Sequence, residues 1–154
     1  MPSELTIRRA TRADLPGLVQ LYRHLVPDDV PLDDAKAGLI WDRFSRIEGS
    51  SIFLGVRDGI LVATCTLVVI PNFVRSGASY ALIENVVTHS DFRGRGHGEA
   101  VLGRAVETAW SLGCYKVMLL TGSKDPATLG FYENAGFARS KTGFEMRRLP
   151  PREG

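Results

Sequence analysis

The sequence predicts an α/β fold, a mixed central sheet of about six to seven strands flanked by about four helices. Apolar strand-like runs alternate with helix-period runs along the whole chain. The run Leu82 to Thr88 passes through a glycine-rich turn, Asp91 to Gly98, directly into the helix-period run Glu99 to Trp110. Ile52 to Arg57 and Ile60 to Ile70 are separated by Asp58-Gly59, the dipeptide that two-residue hairpins favour.

Taken in order, Leu5 to Arg9 is a short first strand, and Thr11 with Asp14 three positions later forms a capping box that opens a helix. Leu15, Leu18, Val19, Leu21, Tyr22, Leu25 and Val26 recur at helical spacing. They predict one buried face over ~13 residues on the ~3.6-residue period. Pro27-Asp28-Asp29-Val30-Pro31 ends that helix. Asp33 or Asp34 caps a second one carrying Leu39, Ile40, Phe44 and Ile47. The hairpin follows, then a loop from Pro71 to Gly77 and a strand from Ser79 to Thr88. After the helix 99–110 come a strand over Lys116 to Thr121, a short helix, and two last strands joined by a turn.

Composition narrows the class. A chain of 154 residues, 44% hydrophobic, makes one compact core, so a single domain over 1–154 is expected, with 150–154 as a flexible tail. The net charge of +2 is too slight for a nucleic-acid stripe, and no nucleic-acid partner is expected. No apolar run approaches the ~20 residues of a membrane span, and Met1-Pro2-Ser3-Glu4 lacks a basic n-region, so a cytoplasmic protein without a membrane partner is expected. Cys65 and Cys114 both sit by apolar runs and read as buried free thiols. No spacing of Cys or His suggests a metal.

The glycine-rich turn suits an anion. Gly94, Gly96 and Gly98 leave no Cβ to block close approach, backbone N–H groups at a helix start can converge on phosphate oxygens, and Arg93 and Arg95 add charge. A Walker A loop would need Lys-Ser/Thr where Glu99-Ala100 stands. A dinucleotide fingerprint would need G-x-G-x-x-G and an acidic residue in the following strand, and both are missing.

What remains is R-x-x-G-x-G, as Arg93, Gly96 and Gly98, followed by Gly130-Phe131-Tyr132-Glu133-Asn134-Ala135-Gly136-Phe137. With the strand 82–88 before and the segment Leu112 to Leu119 between, this half of the chain resembles the GNAT superfamily of acetyl-CoA-dependent N-acyltransferases. The stretch Ile83-Glu84-Asn85-Val86-Val87 is similar to the I/V-E-D-V-V of its glucosamine 6-phosphate acetyltransferases. The resemblance implies a GNAT-like sheet in which strands 79–88 and 116–121 are parallel neighbours that splay apart around a pantetheine arm. It implies acetyl-CoA as cosubstrate, without a metal, and direct attack by a primary amine in a ternary complex without an acyl-enzyme. Cys114 precedes a strand and is not placed by the coenzyme turn.

Amine acetylation needs a base, a polarised carbonyl and help for the leaving thiolate. Glu84 is the candidate base, directly or through water, because a carboxylate in an apolar strand is costly unless used or paired. The other readings are an ion pair with an arginine, a solvent-facing position, or acceptor binding. Tyr132 matches the family's F-Y tyrosine, whose hydroxyl serves the coenzyme sulfur; a phenol near ~10 and a thiol near ~8.5 are matched closely enough for proton transfer. Its other reading is a ring packed beside Phe131 and Phe137. In the family the carbonyl is polarised by a backbone N–H, here in Asn85 to Val87. The resemblance further implies coenzyme contacts from Val86, Val87 and Thr88 to the pantetheine, from Arg93, Gly94, Arg95, Gly96, His97 and Gly98 to the pyrophosphate, and from Asp125, Thr128 and Phe131. His97 is expected as a surface residue offering its N–H, and His24 and His89 have no assigned role.

The acceptor is left open. Asp125 stands where many members have Asn, Asn85 replaces Asp of the aminosugar enzymes, and Leu120-Thr121-Gly122 lacks their acidic residue. Asp28 and Asp29 suit a cationic amine, while Arg75, Arg139 and Lys141 suit a phosphate or carboxylate. The expected partner is a small-molecule amine, with a protein or peptide amine, or a non-catalytic acyl-CoA-binding module, as alternatives. RNA binding through Arg93 and Arg95 is more remote. A homodimer is expected because related enzymes are often dimeric.

Overall fold

The computed structural model describes residues 3–151. The chain divides into two compact units, one ending at Leu119 and one beginning at Leu120. The first holds strands β1 (Thr6–Arg9), β2 (Ser51–Arg57), β3 (Ile60–Ile70), β4 (Tyr80–Thr88) and β5 (Val117–Leu119), with helices α1 (Leu15–Tyr22), α2 (Asp34–Phe44) and α3 (His97–Ser111). The five strands lie in one sheet in chain order. Neighbours from β1 to β4 are antiparallel, and β4 and β5 are parallel. A parallel pair needs a crossover, and α3 supplies it.

The hairpin forms at the predicted dipeptide, with φ of 51° at Asp58 and 75° at Gly59, as a turn matching the twist of its strands requires. The first predicted helix is split. A 3-10 turn, Arg12–Asp14, leads into α1, and the Thr11 N–H donates to the Asp14 carboxylate at 2.7 Å. Asp14 also receives both guanidinium nitrogens of Arg8 at 2.7 Å. Asp33 is the cap of α2, its side chain accepting from Lys36 N at 2.8 Å. That helix stops at Phe44, short of Ile47.

Alternation along β2 separates two packed faces. Leu54 joins Ala10 and Leu18 under α1, with Leu15, Tyr22, Trp41, Ile52, Val56 and Leu61 around them. Gly55 points the other way, where a Cβ would stand 3.2 Å from Val101 Cγ2 of α3. A side chain at 55 would therefore make Val101 and Leu5 give way by a few tenths of an ångström. Val101, Leu102, Ala105 and Ala109 are the buried apolar residues of α3. Each of the larger side chains stabilises the fold by about 1.5–3 kcal/mol when fully buried. Cys65 and Cys114 are buried free thiols.

The second unit contains α4 (Pro126–Asn134), with Pro126 at its first position. Here the expected strand count is corrected. Five strands exist among the described residues, not six to seven, and residues 138–149 form neither of the two final strands. Phe144, Met146 and Leu149 are 92%, 100% and 78% exposed, so the apolar residues of this segment meet no packed face. Strand preference is expressed through cross-strand and same-face neighbours, and without them the pattern forms no strand. The expected strand 116–121 likewise shortens to β5. Of the expected flexible tail, Pro150 and Pro151 have no regular structure, and 152–154 lie outside the described residues, as do Met1 and Pro2.

Candidate active site

The site is built around the middle of β4. Thr66 of β3 faces Glu84 and Thr64 faces Val87, so two β3 steps match three on β4. The extra residue makes a bulge, and Asn85 takes it up with a φ of 51°. Asparagine tolerates that left-handed conformation better than its strand neighbours would. On the other side, the ladder to β5 ends at the pair Ile83 and Leu119. Among the described residues no strand pairs with β4 beyond that point on the β5 side, so its edge from Glu84 onward has backbone groups available to a ligand.

Glu84 is exposed, and no described residue forms an ion pair with it. The arginine pairing weighed from the sequence is therefore not what holds it, and the solvent-facing position weighed beside it is the one observed, so its carboxylate bears no burial cost. Its cross-strand neighbour Thr66 interacts with the hydroxyl of Tyr22, whose pKa is raised by burial. Val87 is buried with its side chain in the core, and Val86 and Thr88 are half-buried.

Beyond β4, a 3-10 turn, Ser90–Phe92, leads into the glycine turn. Gly94 and Gly96 have φ of 75° and 80°, and nothing stands within 4 Å of where a Cβ would be on either. Gly96 is the N-cap of α3, and the first helical bond runs from Ala100 N to Gly96 O at 3.0 Å. The amides just before Ala100 thus have no helical partner, and they point out of the helix start. Arg95 lies over the Phe92 ring at 5.3 Å. Arg93 turns its side chain back, Nε donating to Thr88 O at 3.2 Å and Nη2 to His24 O at 3.4 Å. Its guanidinium ties the turn to the sheet and to the end of α1, so toward a ligand it has its backbone to offer.

His97 departs from the sequence reading. It is 6% exposed, not a surface residue, and its Nε2 is buried without a hydrogen-bond partner. Burial first, then Arg57 and Arg95, lower its pKa from 6.5. An orphaned ring nitrogen at a helix start is a group awaiting a ligand or water. With open amides, open space at two glycines and Arg95 nearby, the residues present fit a diphosphate.

In the second unit, Asp125 caps α4, its carboxylate accepting from Ala127 N at 3.0 Å. Thr128 and Phe131 are half-buried on that helix. Tyr132 packs edge-on to Phe131 at 5.1 Å and to Phe137 at 6.4 Å. Both thiols are poor nucleophiles, since burial pushes Cys65 up to about 12 and raises Cys114 as well. Among the described residues no three His, Cys, Asp or Glu side chains are grouped to hold a metal, and no helix is long and apolar enough to cross a membrane. The sequence reading missed the bulge at Asn85, the Tyr22–Thr66 contact and a stacked pair, His24 and His89. For the bulge a signal existed, because asparagine is depleted in strands.

Residues 17–137 match the Acetyltransferase (GNAT) family. The chain is 33% identical over 135 residues to a glucosamine 6-phosphate N-acetyltransferase of Trypanosoma brucei brucei, covering 87% of this chain and 89% of that protein. It is 32% identical over 135 residues to glucosamine 6-phosphate N-acetyltransferase 1 of Oryza sativa subsp. japonica, covering 85% and 79%. A putative acetyltransferase from Agrobacterium tumefaciens superposes with a TM-score of 0.89 at 47% identity, over 93% of this chain and 99% of that one. The chain belongs to the acetyltransferase (GNAT) family and is an acetyl-CoA-dependent N-acyltransferase.

Proposed function

We propose that the protein transfers acetyl from acetyl-CoA to the primary amine of a small molecule by direct attack in a ternary complex. The observation that carries this is the pairing of an anion-ready turn, Gly94 to Gly98, with a bulged, open-edged β4 that runs straight into it. The cosubstrate supplies an activated thioester. In this reading the amides of 93–98, that of His97 among them, hold its pyrophosphate, and the backbone of Val86, Val87 and Thr88 pairs with the pantetheine as a short added strand. Asp125, Thr128 and Phe131 complete the coenzyme contacts, Asp125 through its backbone, since its carboxylate caps α4.

Glu84 takes the proton from the attacking amine, directly or through one water. Its exposure and lack of an ion pair leave it accessible for that duty. A backbone N–H from Asn85 to Val87 donates to the carbonyl oxygen, and the bulge turns an amide out of the β3 ladder for the purpose. Tyr132 gives its phenolic proton to the departing sulfur. The nitrogen–carbon bond forms as the carbon–sulfur bond breaks, one proton passing to Glu84 and one leaving Tyr132. The high thiol pKa values support a route with no acyl-cysteine.

Glucosamine 6-phosphate is the first acceptor to test, because the two relatives described above are named for it. Asn85 in place of Asp and the apolar Leu120 mean the amine contacts differ from those enzymes, so an amine panel belongs in the same experiment. We take the enzyme to act in the cytoplasm as a homodimer. Thiol release from acetyl-CoA over aminosugar phosphates, amino acids, polyamines and a lysine peptide tests the whole reading. Turnover with a small amine is expected, and turnover with the peptide alone, or binding without turnover on any amine, overturns it.

A further inference from the structure

Two histidines to which the chemistry above gives no work sit where the coenzyme turn begins. His24 follows the end of α1, and His89 follows β4. Their rings lie against each other, tilted by 38°, with centroids 4.1 Å apart. Each accepts a backbone N–H at Nδ1: Ser90 N donates to His24 at 3.4 Å, and Asp91 N donates to His89 at 3.1 Å. Phe92 closes the stack edge-on to His89 at 5.3 Å, and Arg93 reaches back to the His24 carbonyl at 3.4 Å. The 3-10 turn Ser90–Phe92, which aims the chain into Arg93 and the glycines, is therefore held from beneath by two imidazole lone pairs.

A ring that accepts at Nδ1 carries its single proton on Nε2 and has no charge. Protonating Nδ1 would turn the acceptor into a donor facing another donor. Two charged rings at this separation would also repel. The charged and titratable groups facing His24 are His89 and Arg93, which disfavour its protonation, and Asp91, which favours it. All three come from the β4–α3 connection. Burial and these two neighbours lower the His24 pKa from 6.5.

We propose that His24 and His89 are positioning residues for the coenzyme turn, acting as a pair of uncharged acceptors that set Ser90–Phe92 and so present the amides of 93–98. They touch no reacting atom and act through the turn. The proposal rests on the coenzyme reading above. Because the ligand-competent turn needs His24 uncharged, apparent affinity scales with its neutral fraction. The sign follows from a depressed pKa: the turn is fully set above pH 6.5 and is released as pH falls through the lower, folded value. Each pH unit below that value weakens coenzyme binding by up to about tenfold.

The test is calorimetric titration with dephospho-CoA, which lacks the titrating 3′-phosphate, from pH 8 to pH 5. It uses the parent, His24→Asn, whose amide oxygen can replace Nδ1 without taking a proton, and His24→Leu, which removes the acceptor. The parent is expected to lose affinity on acidification, His24→Asn to lose the share of that pH dependence that belongs to His24 and so to show a shallower acid limb, and His24→Leu to bind weakly at every pH. Parent and His24→Asn with the same acid profile overturn the proposal while the coenzyme reading stands. No binding by the parent at pH 8 overturns the coenzyme reading itself, and the proposal with it. A second measurement needs neither ligand nor variant: ring nitrogen shifts of the 15N-labelled parent should show Nε2–H tautomers at both histidines at pH 8. A protonated Nδ1 at either one contradicts the pair as drawn.

Discussion

Asn85→Val tests whether the β4 bulge is what the site is built on. Asn85 has a φ of 51°, and a β-branched residue there meets the full left-handed penalty of roughly 1–2 kcal/mol. The chain can respond in two ways. If the bulge persists, the protein loses about that much stability, a factor of roughly 5–30 in the folded-to-unfolded ratio. If the strain is relieved by moving β4 one residue against β3, residues beyond the slip exchange faces. Glu84 or Val87 then leaves its present partner, Thr66 or Thr64, and the amide proposed for the carbonyl is lost. The first outcome lowers the urea midpoint and spares kcat, and the second lowers kcat. Asn85→Gly is the control, since glycine takes φ above zero without strain, so any activity it loses belongs to the side-chain amide. Urea unfolding and thiol-release kinetics on all three proteins read both axes. A valine variant with the parent's stability and the parent's kcat refutes the reasoning.

Other expectations are simpler. Tyr132→Phe should lower kcat by about 10²-fold, the scale of a lost general acid, with acetyl-CoA affinity within about twofold of the parent; unchanged kcat removes its role. Asp14 is held at about 2, against an ordinary 3.8, chiefly by the Arg8 guanidinium. That difference is worth ~2.4 kcal/mol before screening, and about 1–2 kcal/mol given the 42% exposure of the Arg8 side chain. A depressed carboxyl stabilises above its unfolded pKa, so this contribution is present above pH 4 and fades as pH falls toward 2. Asp14→Asn should remove it, leaving a shallower acid limb in unfolding free energy against pH. Gly55→Ala should cost about 1–3 kcal/mol in urea unfolding, because the added methyl meets Val101 Cγ2 at 3.2 Å and Leu5 Cδ1 at 3.3 Å.

The legible parts of the fold were those set by local chemistry. Asp58-Gly59, Asp33 and the glycine run at 94–98 each impose a backbone conformation within a few residues, and the hairpin, the start of α2 and the start of α3 appear where those residues stand. The parallel pairing of β4 with β5, implied by the family resemblance, also appears. Decisions made by distant partners were not legible. Residues 138–149, expected as two strands, form none and pair with no strand among the described residues, because strand preference is expressed only beside a partner. His97 looked like a loop residue between glycines, but its ring is buried with the start of α3, near Phe92, Arg95 and Arg57. Arg93 read as a cation for the ligand, whereas its side chain is committed to Thr88 O and His24 O. The His24–His89 stack joins residues 65 positions apart, and no local pattern marks it.

The most direct measurement of the central claim is a titration of the 15N-labelled protein with CoA, followed by backbone amide shifts. Saturable movement of the amides of residues 93–98, where Gly94 and Gly96 hold the backbone open at the start of α3, is the predicted result, together with movement at Val86 to Thr88. A spectrum in which CoA binds elsewhere and those amides stay in place, or in which it does not bind, contradicts the account.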